Sequence, residues 1–416
     1  MKKNFFCFMV LLFAISSYGS ENIVKSFNTI LKITNKDAQL TSLNEFIDVN
    51  KKKIPIIQDD TIIFIYHTDS THPKLKVSLA SSENSFSESK DFLKRIGKSN
   101  FFYLQIKPSI VDNFSYSFVV HENDKKSIKK DDFNSNIHFA KRYRNCIRTI
   151  DSDKSTLQIV NSIVSDNITL LKRSVYVLLP PGYFKNFDIQ YPVFYMHDGN
   201  NLWDSKEAPG GGWKMDTTSN EMINNGTIQP MIIVGIANTG KRMDEYIGFS
   251  TMYSENEERK KQVSAKALQE LSLAYVDYVI KSVKPYIDTN YRTMNDRNST
   301  VIGGSSAGAM ISLYMGFKYP EVFSGVAAIS GGFEPYIDLR ENFFNPTADL
   351  KIYLDCGGKD MDKDMLVESN NLYDFLKKNG YRDNENLLYI IDNEAGHNEK
   401  AWANRASGYL KFFYGK

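Results

Sequence analysis

The sequence predicts an α/β protein built on a mostly parallel sheet, preceded by a smaller all-β module. Three observations predict it. From about residue 174 onward, strand-like runs alternate with helix-length segments, the βαβα order of a parallel sheet covered by helices on both faces. Several of those runs are continuously apolar, as in strands buried on both sides. Between about residues 21 and 138 the apolar residues come instead in short alternating runs separated by turn clusters, the pattern of a β-sandwich.

The elements follow in order. Lys2 and Lys3 precede an unbroken apolar run from Phe5 to Ile15, and Ser17-Tyr18-Gly19 supplies small residues after it. The run is too short to span a bilayer, which needs roughly 20 apolar residues. Residues 1–19 are therefore expected to be a cleaved secretory leader, and the mature protein to be exported to the periplasm or secreted. No later stretch is apolar enough to span, so no stable membrane insertion is expected once the leader is removed. Residues 20–140 form the β module, with strands expected at Thr61–Tyr66, Lys74–Leu79, Phe101–Ile106 and Tyr116–Val120. Ile23 to Val49 has helical spacing and leads into the module or packs on it. The polar stretch Lys125 to Asn136 reads as a surface loop, and residues 141–172 as a linker with the first strands of the next domain.

Residues 173–416 carry the alternating pattern. Strands are expected at Val175–Leu179, Tyr191–Met196, Pro230–Ile236, Ser299–Ile302, Gly325–Ile329, Leu350–Leu354 and Asn386–Ile391. Helices are expected at Lys266–Ile287, Ala307–Tyr319, Asp364–Asn379 and Lys400–Phe413. The 51 Lys and Arg nearly balance the 49 Asp and Glu, for a net charge of +2. That balance gives no electrostatic reason to expect a nucleic-acid partner. Cys7 leaves with the leader, and Cys146 and Cys356 are too few for a disulfide framework, so two free thiols are expected.

Gly304-Ser305-Ser306-Ala307-Gly308 fits G-x-S-x-G between an apolar strand and a helix. That sharp turn lifts the Ser306 hydroxyl above the sheet at a helix start, where developing negative charge is favoured. Ser305 is displaced by one position and reads as a packing residue. A serine hydroxyl needs a base to take its proton. Of six histidines, only His397 follows Ser306, in a loop between a strand and the last helix. The chain order Ser, acid, His of the α/β-hydrolase fold makes His397 the general base. The acid is expected just past the strand Leu350–Leu354: Asp360 after the Gly-Gly turn, with Asp362 as the alternative. Asp355 reads as structural and Asp364 as a helix-start residue. The oxyanion donors are expected to be the backbone N–H of Ala307 and that of Gly199 or Asp198, in the loop His197-Asp-Gly-Asn-Asn201. Asn200 in that loop, Trp213 after a Gly-Gly-Gly run, and Arg242 are candidate substrate contacts, the last two equally readable as surface anchors. His197 precedes the nucleophile and is expected to shape its loop. This chemistry needs no metal or organic cofactor.

These residues carry a family resemblance. From about Arg173 onward the chain resembles the esterase family that includes enterochelin esterases, feruloyl and acetyl-xylan esterases of carbohydrate esterase family 1, and S-formylglutathione hydrolases. The matching segments are Leu179-Pro-Pro-Gly-Tyr183, His197-Asp-Gly-Asn-Asn-Leu202, Arg242-Met-Asp-Glu-Tyr246, Lys284-Pro-Tyr-Ile-Asp-Thr-Asn-Tyr-Arg292, Gly304–Gly308 and Gly316–Phe323. The resemblance implies an α/β-hydrolase fold and a nucleophile, acid and histidine at Ser306, Asp360 and His397. Leu93–Leu104 and Phe114–Phe118 resemble the early-set immunoglobulin-like domains that precede some of these esterases. The expected activity is hydrolysis of a carboxylic ester through an acyl-enzyme, on an acyl or feruloyl ester of a carbohydrate. The alternatives are a siderophore (enterochelin-like) trilactone as substrate, or an inactive glycan-binding scaffold.

Overall fold

The structure is a computed structural model. It describes residues 22–70, 72–108, 114–123, 125–134, 136–138, 144–147, 153–160, 163–165, 170–183, 188–204, 208–250, 257–332 and 344–416. The expected leader and much of the expected linker lie outside them. The chain divides into two compact units, Met1–His138 with Tyr143–Thr149, and Phe139–Arg142 with Ile150–Lys416.

The first unit opens with helices Ile23–Leu31 and Lys36–Asn50. The single expected helical stretch is broken because Asn35 caps the second helix, its side chain accepting from the Asp37 and Ala38 amides,. One antiparallel sheet follows the order β1 (Ile56–Gln58), β2 (Thr61–His67), β5 (Phe101–Ile106), β4 (Lys94–Arg95). The second is built on β6 (Phe114–Glu122), which pairs antiparallel with β3 (Lys76–Ser81), β7 (Lys125–Lys129) and β9 (Arg144–Ile147); β9 in turn pairs β8 (Asn136–His138). The strand period of two sorts β2 onto two cores. Ile62, Phe64 and Tyr66 face Val77, Leu79, Phe114, Tyr116 and Phe118 between the sheets. Ile63 and Ile65 face Phe27, Ile30, Leu43 and Phe46 of the helices,. The expected surface loop at 125–136 is instead partly strand. All five residues of β7 are exposed, so backbone pairing to β6 holds it and no apolar alternation marks it.

A buried carboxyl tunes this unit to pH. Asp131 accepts from Tyr116 Oη at 2.7 Å and from the Phe133 amide at 2.9 Å. Burial outweighs these bonds and pushes its pKa up to about 7,. Between its unfolded value near 4 and about pH 7 the folded state holds the extra proton, so rising pH destabilises the unit through that window. The urea midpoint of the first unit is expected to fall from pH 4 to pH 7, and less steeply in Asp131→Asn. Equal slopes in the two proteins would reject this assignment.

In the second unit the strand order is β17 (Leu387–Asp392), β16 (Lys351–Gly357), β15 (Gly325–Ile329), β14 (Thr300–Ser305), β12 (Val193–His197), β13 (Ile232–Ile236), β11 (Val175–Leu179), β10 (Thr156–Val160). The pairings from β17 through β13 are parallel, and β11 joins β13 and β10 antiparallel. Every residue of β11, β12, β13, β14 and β15 is buried, as continuous apolar runs require when helices cover both faces. The expected helix Lys266–Ile287 runs as Ala265–Asp277, a π-helical stretch Tyr278–Val283, and Lys284–Asn290. The register change adjoins Pro285, which has no N–H to give the preceding turn. Cys356 is buried in β16 as a free thiol, its pKa pushed up to about 12, chiefly by burial. No helix of the described residues is long and apolar enough to cross a membrane.

The topology fixes where a site can lie. Strand order reverses at β12, with β13 on one side and β14 on the other. Ligands in open α/β sheets bind past the carboxyl ends of strands at such a switch point. The loops after β12, β13, β14, β16 and β17 carry the candidate residues.

Candidate active site

Ser306 joins β14 to the helix Ala307–Lys318 with φ 56° and ψ −126°, a conformation that costs an L-residue on the order of 1–3 kcal/mol. Its amide donates to Ile329 O at 2.9 Å, tying the turn to β15. A Cβ on Gly304 would sit 3.0 Å from the Gly308 carbonyl, so strand and helix approach this closely only without a side chain there. No side chain caps the helix, which leaves the Ala307 amide open at its positive end. Ser305 is buried, as its packing role requires.

His397 stands in the loop between β17 and the last helix, Glu399–Tyr414. That loop is stitched to the end of β16, where the Gly358 and Lys359 amides donate to Ala395 O at 3.1 and 3.0 Å. His397 Nδ1 lies 2.6 Å from Asp362 Oδ1. A carboxylate there must accept, so Nδ1 carries a proton, and in the neutral imidazole it is Nε2 that keeps the lone pair. The Trp402 ring meets the imidazole edge-on at 5.1 Å.

The imidazole partner is thus Asp362, and the expectation of Asp360 is corrected. Asp360 is exposed and takes φ 53° just before the helix Met361–Lys378. Asp362 falls in the first turn of that helix and is fully buried, whereas Asp360 precedes the helix in a non-helical, left-handed conformation. The chain reversal at Asp360 leaves its own side chain exposed and sets Asp362 against the end of β16. Its Oδ2 accepts from the Gly357 amide at 2.9 Å and from Ser330 Oγ at 2.8 Å. Burial opposes its ionisation, but the hydrogen bonds from His397 and Ser330 outweigh it and hold Asp362 below the usual carboxylate range,. Asp364 is exposed in the same first turn. Asp355, read as structural, is buried and paired with Arg405 at 3.0 Å.

The loop after β12 departs from expectation. The Gly199 amide donates to Ile236 O at 2.8 Å and the Asp198 amide to Tyr246 Oη at 3.4 Å. Both alternatives for the second oxyanion donor are thereby engaged inside the protein. The Asn200 amide, one residue on, gives its proton to no acceptor among the described residues, while Asn200 Oδ1 accepts from the Asn238 amide at 3.1 Å. Gly199 is required by β13, since a Cβ on it would lie 2.4 Å from the Gly235 carbonyl carbon.

Arg242 is committed to Asp198, with its side chain 26% exposed. It clamps Asp198 through two bonds, Nε to Oδ1 at 2.7 Å and Nη2 to Oδ2 at 2.8 Å, and so braces the loop from behind. Trp213 is 1% exposed and packs on Trp402 at 5.4 Å, a buried support where a rim contact was expected. His197 is fully buried with Nδ1 2.8 Å from Tyr275 Oη. Burial pushes its pKa to about 3 against the opposing charge of Asp198, which keeps it neutral and consistent with loop shaping.

Sequence reasoning passed over Ser330, Tyr246, Trp402 and Arg405. Two signals existed. Ser330 directly follows an apolar strand next to the elbow strand, and Arg405 lies on the apolar stripe of its helix with Trp402, Ala406 and Tyr409. A charge on a buried stripe requires a partner.

The family model described as "Putative esterase" matches residues 168–410. An uncharacterised protein of Bacillus subtilis is 21% identical over 248 residues, which is 57% of this chain and 91% of that one. An endo-1,4-beta-xylanase/feruloyl esterase of Xylanibacter ruminicola is 27% identical over 214 residues, 50% of this chain but only 25% of that protein. Among solved structures, a ferulic acid esterase is 19% identical with a TM-score of 0.46, covering 62% of this chain and 98% of its own. The ferric enterobactin esterase of Salmonella typhimurium is 14% identical with a TM-score of 0.44, covering 85% and 93%. With the family model matching more than half of its length, the chain belongs to this esterase family and is an α/β-hydrolase that hydrolyses esters.

Proposed function

We propose that the protein is an exported serine esterase in which Ser306 is the nucleophile, His397 the general base and Asp362 the orienting acid. Its substrate is an acyl or feruloyl ester of a carbohydrate. The observation that carries the reading is the 2.6 Å contact that holds His397 Nδ1 on Asp362 and leaves Nε2 as a base, in the same strand-end cluster of loops as an elbow serine. Ser306 Oγ attacks the ester carbonyl carbon as its proton passes to His397 Nε2. The resulting oxyanion is held by the amides of Ala307 and Asn200, each such donor supplying roughly 3–4 kcal/mol of transition-state stabilisation. Collapse expels the alcohol, which takes the proton from Nε2. Water then repeats the attack on the acyl-enzyme and releases the acid.

The carbohydrate reading draws on the similarity to the xylanase/feruloyl esterase of Xylanibacter ruminicola and on the expected leader. The test is a substrate panel with the full chain: p-nitrophenyl acetate, methyl ferulate, a feruloylated arabinoxylan oligosaccharide and a catecholate trilactone. The oligosaccharide is expected to give the highest kcat/KM, and the mature chain from a periplasmic or culture fraction to begin near residue 20. Turnover of the trilactone alone would replace the carbohydrate reading, and no turnover of any of the four would place the substrate ester outside both classes.

A further inference from the structure

Behind the Asp362–His397 pair lies a buried chain of polar groups that the proposed reaction does not use. Arg405, from the last helix, is 7% exposed, and Asp355, Asp362 and Ser330 are fully buried. Arg405 Nη2 donates to Ser330 Oγ at 2.9 Å and to Asp355 Oδ1 at 3.1 Å. Ser330 Oγ donates in turn to Asp362 Oδ2 at 2.8 Å. On the far side, Tyr353 Oη donates to Asp355 Oδ2 at 3.0 Å. Ser330 is held for this contact at φ 46°, its amide anchored on Asp355 O at 3.0 Å. A left-handed serine at a strand end persists only where the surroundings over-determine it.

The geometry points to Ser330 and Arg405 as positioning residues that set both the orientation and the basicity of the Asp362–His397 pair. This inference rests on the catalytic reading above. Because Arg405 donates to Ser330 Oγ, the serine proton is directed at Asp362. Oδ2 is then saturated by Ser330 and the Gly357 amide, and Oδ1 alone remains to hold the imidazole. The donors also draw charge away from Oδ1. Without them the carboxylate grips the imidazolium more strongly, and His397 gives up its proton only at higher pH.

A hydrophobic replacement would satisfy packing without this chain, and leaving one buried charge alone is costly. Arg405 answers two carboxylates at once, Asp355 directly and Asp362 through one hydroxyl. The other ionisable groups around the pair and its supports are Tyr353 and Cys356 of β16, Asp360 at the helix start, and Tyr409 of the last helix. Cys356 Sγ touches Asp362 O at 3.4 Å, and Asp360 borders Gly396. Besides Asp362 itself, Asp355 and Arg405 are the charged groups hydrogen-bonded to Ser330 among the described residues.

The experiment compares the pH dependence of kcat/KM on p-nitrophenyl acetate for the wild type, Ser330→Ala, Arg405→Lys and Arg405→Met, with thermal unfolding of each. Ser330→Ala is expected to move the acid limb to higher pH by about half a unit and to lower kcat about tenfold, with an unfolding midpoint lowered by about 2–6 °C. Arg405→Lys keeps the charge and is expected to shift the limb less than Arg405→Met. The low-field proton resonance of the His397 Nδ1–H bond is expected to move in Ser330→Ala. An unshifted acid limb and resonance in Ser330→Ala, with only the unfolding midpoint changed, would reduce these residues to structural support and overturn the inference. Should Arg405→Met fail to fold, the serine variant decides alone. Failure of the catalytic reading looks different, since Ser306→Ala would then keep wild-type turnover.

Discussion

Ser306→Ala is expected to lower kcat for ester hydrolysis by about 10⁵-fold or more, Asp362→Asn by about 10⁴-fold, and Asp360→Asn by no more than a few-fold. Alanine removes the only atom that can form the acyl-enzyme, so what survives is catalysis by the oxyanion amides and binding. Asparagine at 362 keeps size and burial but can turn its amide NH₂ toward His397 and stabilise the wrong tautomer. Oδ2 of Asp362 accepts two donors, from Gly357 and Ser330. In the variant the amide oxygen serves these donors and the NH₂ faces the imidazole. Asp360 is exposed at the helix start, so neutralising it disturbs only surface charge. Steady-state kinetics of the three variants on one p-nitrophenyl ester measure the ranking. A large loss in Asp360→Asn with near-normal turnover in Asp362→Asn would reverse the assignment of the acid.

Gly199→Ala is the second large effect, and it acts through the backbone. The new methyl carbon would lie 2.4 Å from Gly235 C, 2.5 Å from Gly235 O and 2.7 Å from the Ile236 amide. These are main-chain atoms of a fully buried central strand, so no side chain can swing aside. Overpacking of this kind costs about 3 kcal/mol, which corresponds to roughly 6–12 °C in the unfolding midpoint of a domain this size. Relief requires the loop after β12 to lift, which moves the Asn200 amide. A misplacement of about 1 Å at a reacting centre costs on the order of 10²-fold in rate. The variant is therefore expected to lose both thermal stability and kcat. A variant with the wild-type midpoint and wild-type kcat would show that neither the close approach nor the position of Asn200 matters.

Much of this was legible in the sequence, and the part that was not has physical reasons. Continuous apolar runs such as Val193–Met196 and Ile232–Ile236 marked buried strands, and small residues around Ser306 marked the elbow. His397 followed from chain order alone. Asp362 did not, because Asp360 and Asp362 differ only in where the helix begins and hence in which way each side chain turns. The loop after β12 was legible as a candidate, but which of its amides is free depends on the register against β13, where Gly199 is already bonded to Ile236. Arg242 and Trp213 were visible as unusual residues near glycines, yet their roles are set by tertiary partners, Asp198 and Trp402. The edge strand Lys125–Lys129 left no apolar trace because all its side chains face water.

The three tryptophans of the chain, Trp203, Trp213 and Trp402, all lie in the second unit, and the first has none. Indole emission therefore reports on the esterase unit alone, while tyrosine emission reports on both, so the unfolding of the two can be followed separately in one sample. Trp402 also lies edge-on to His397. A protonated imidazole quenches a neighbouring indole, so the protein carries a built-in optical readout of the charge on His397, readable without substrate.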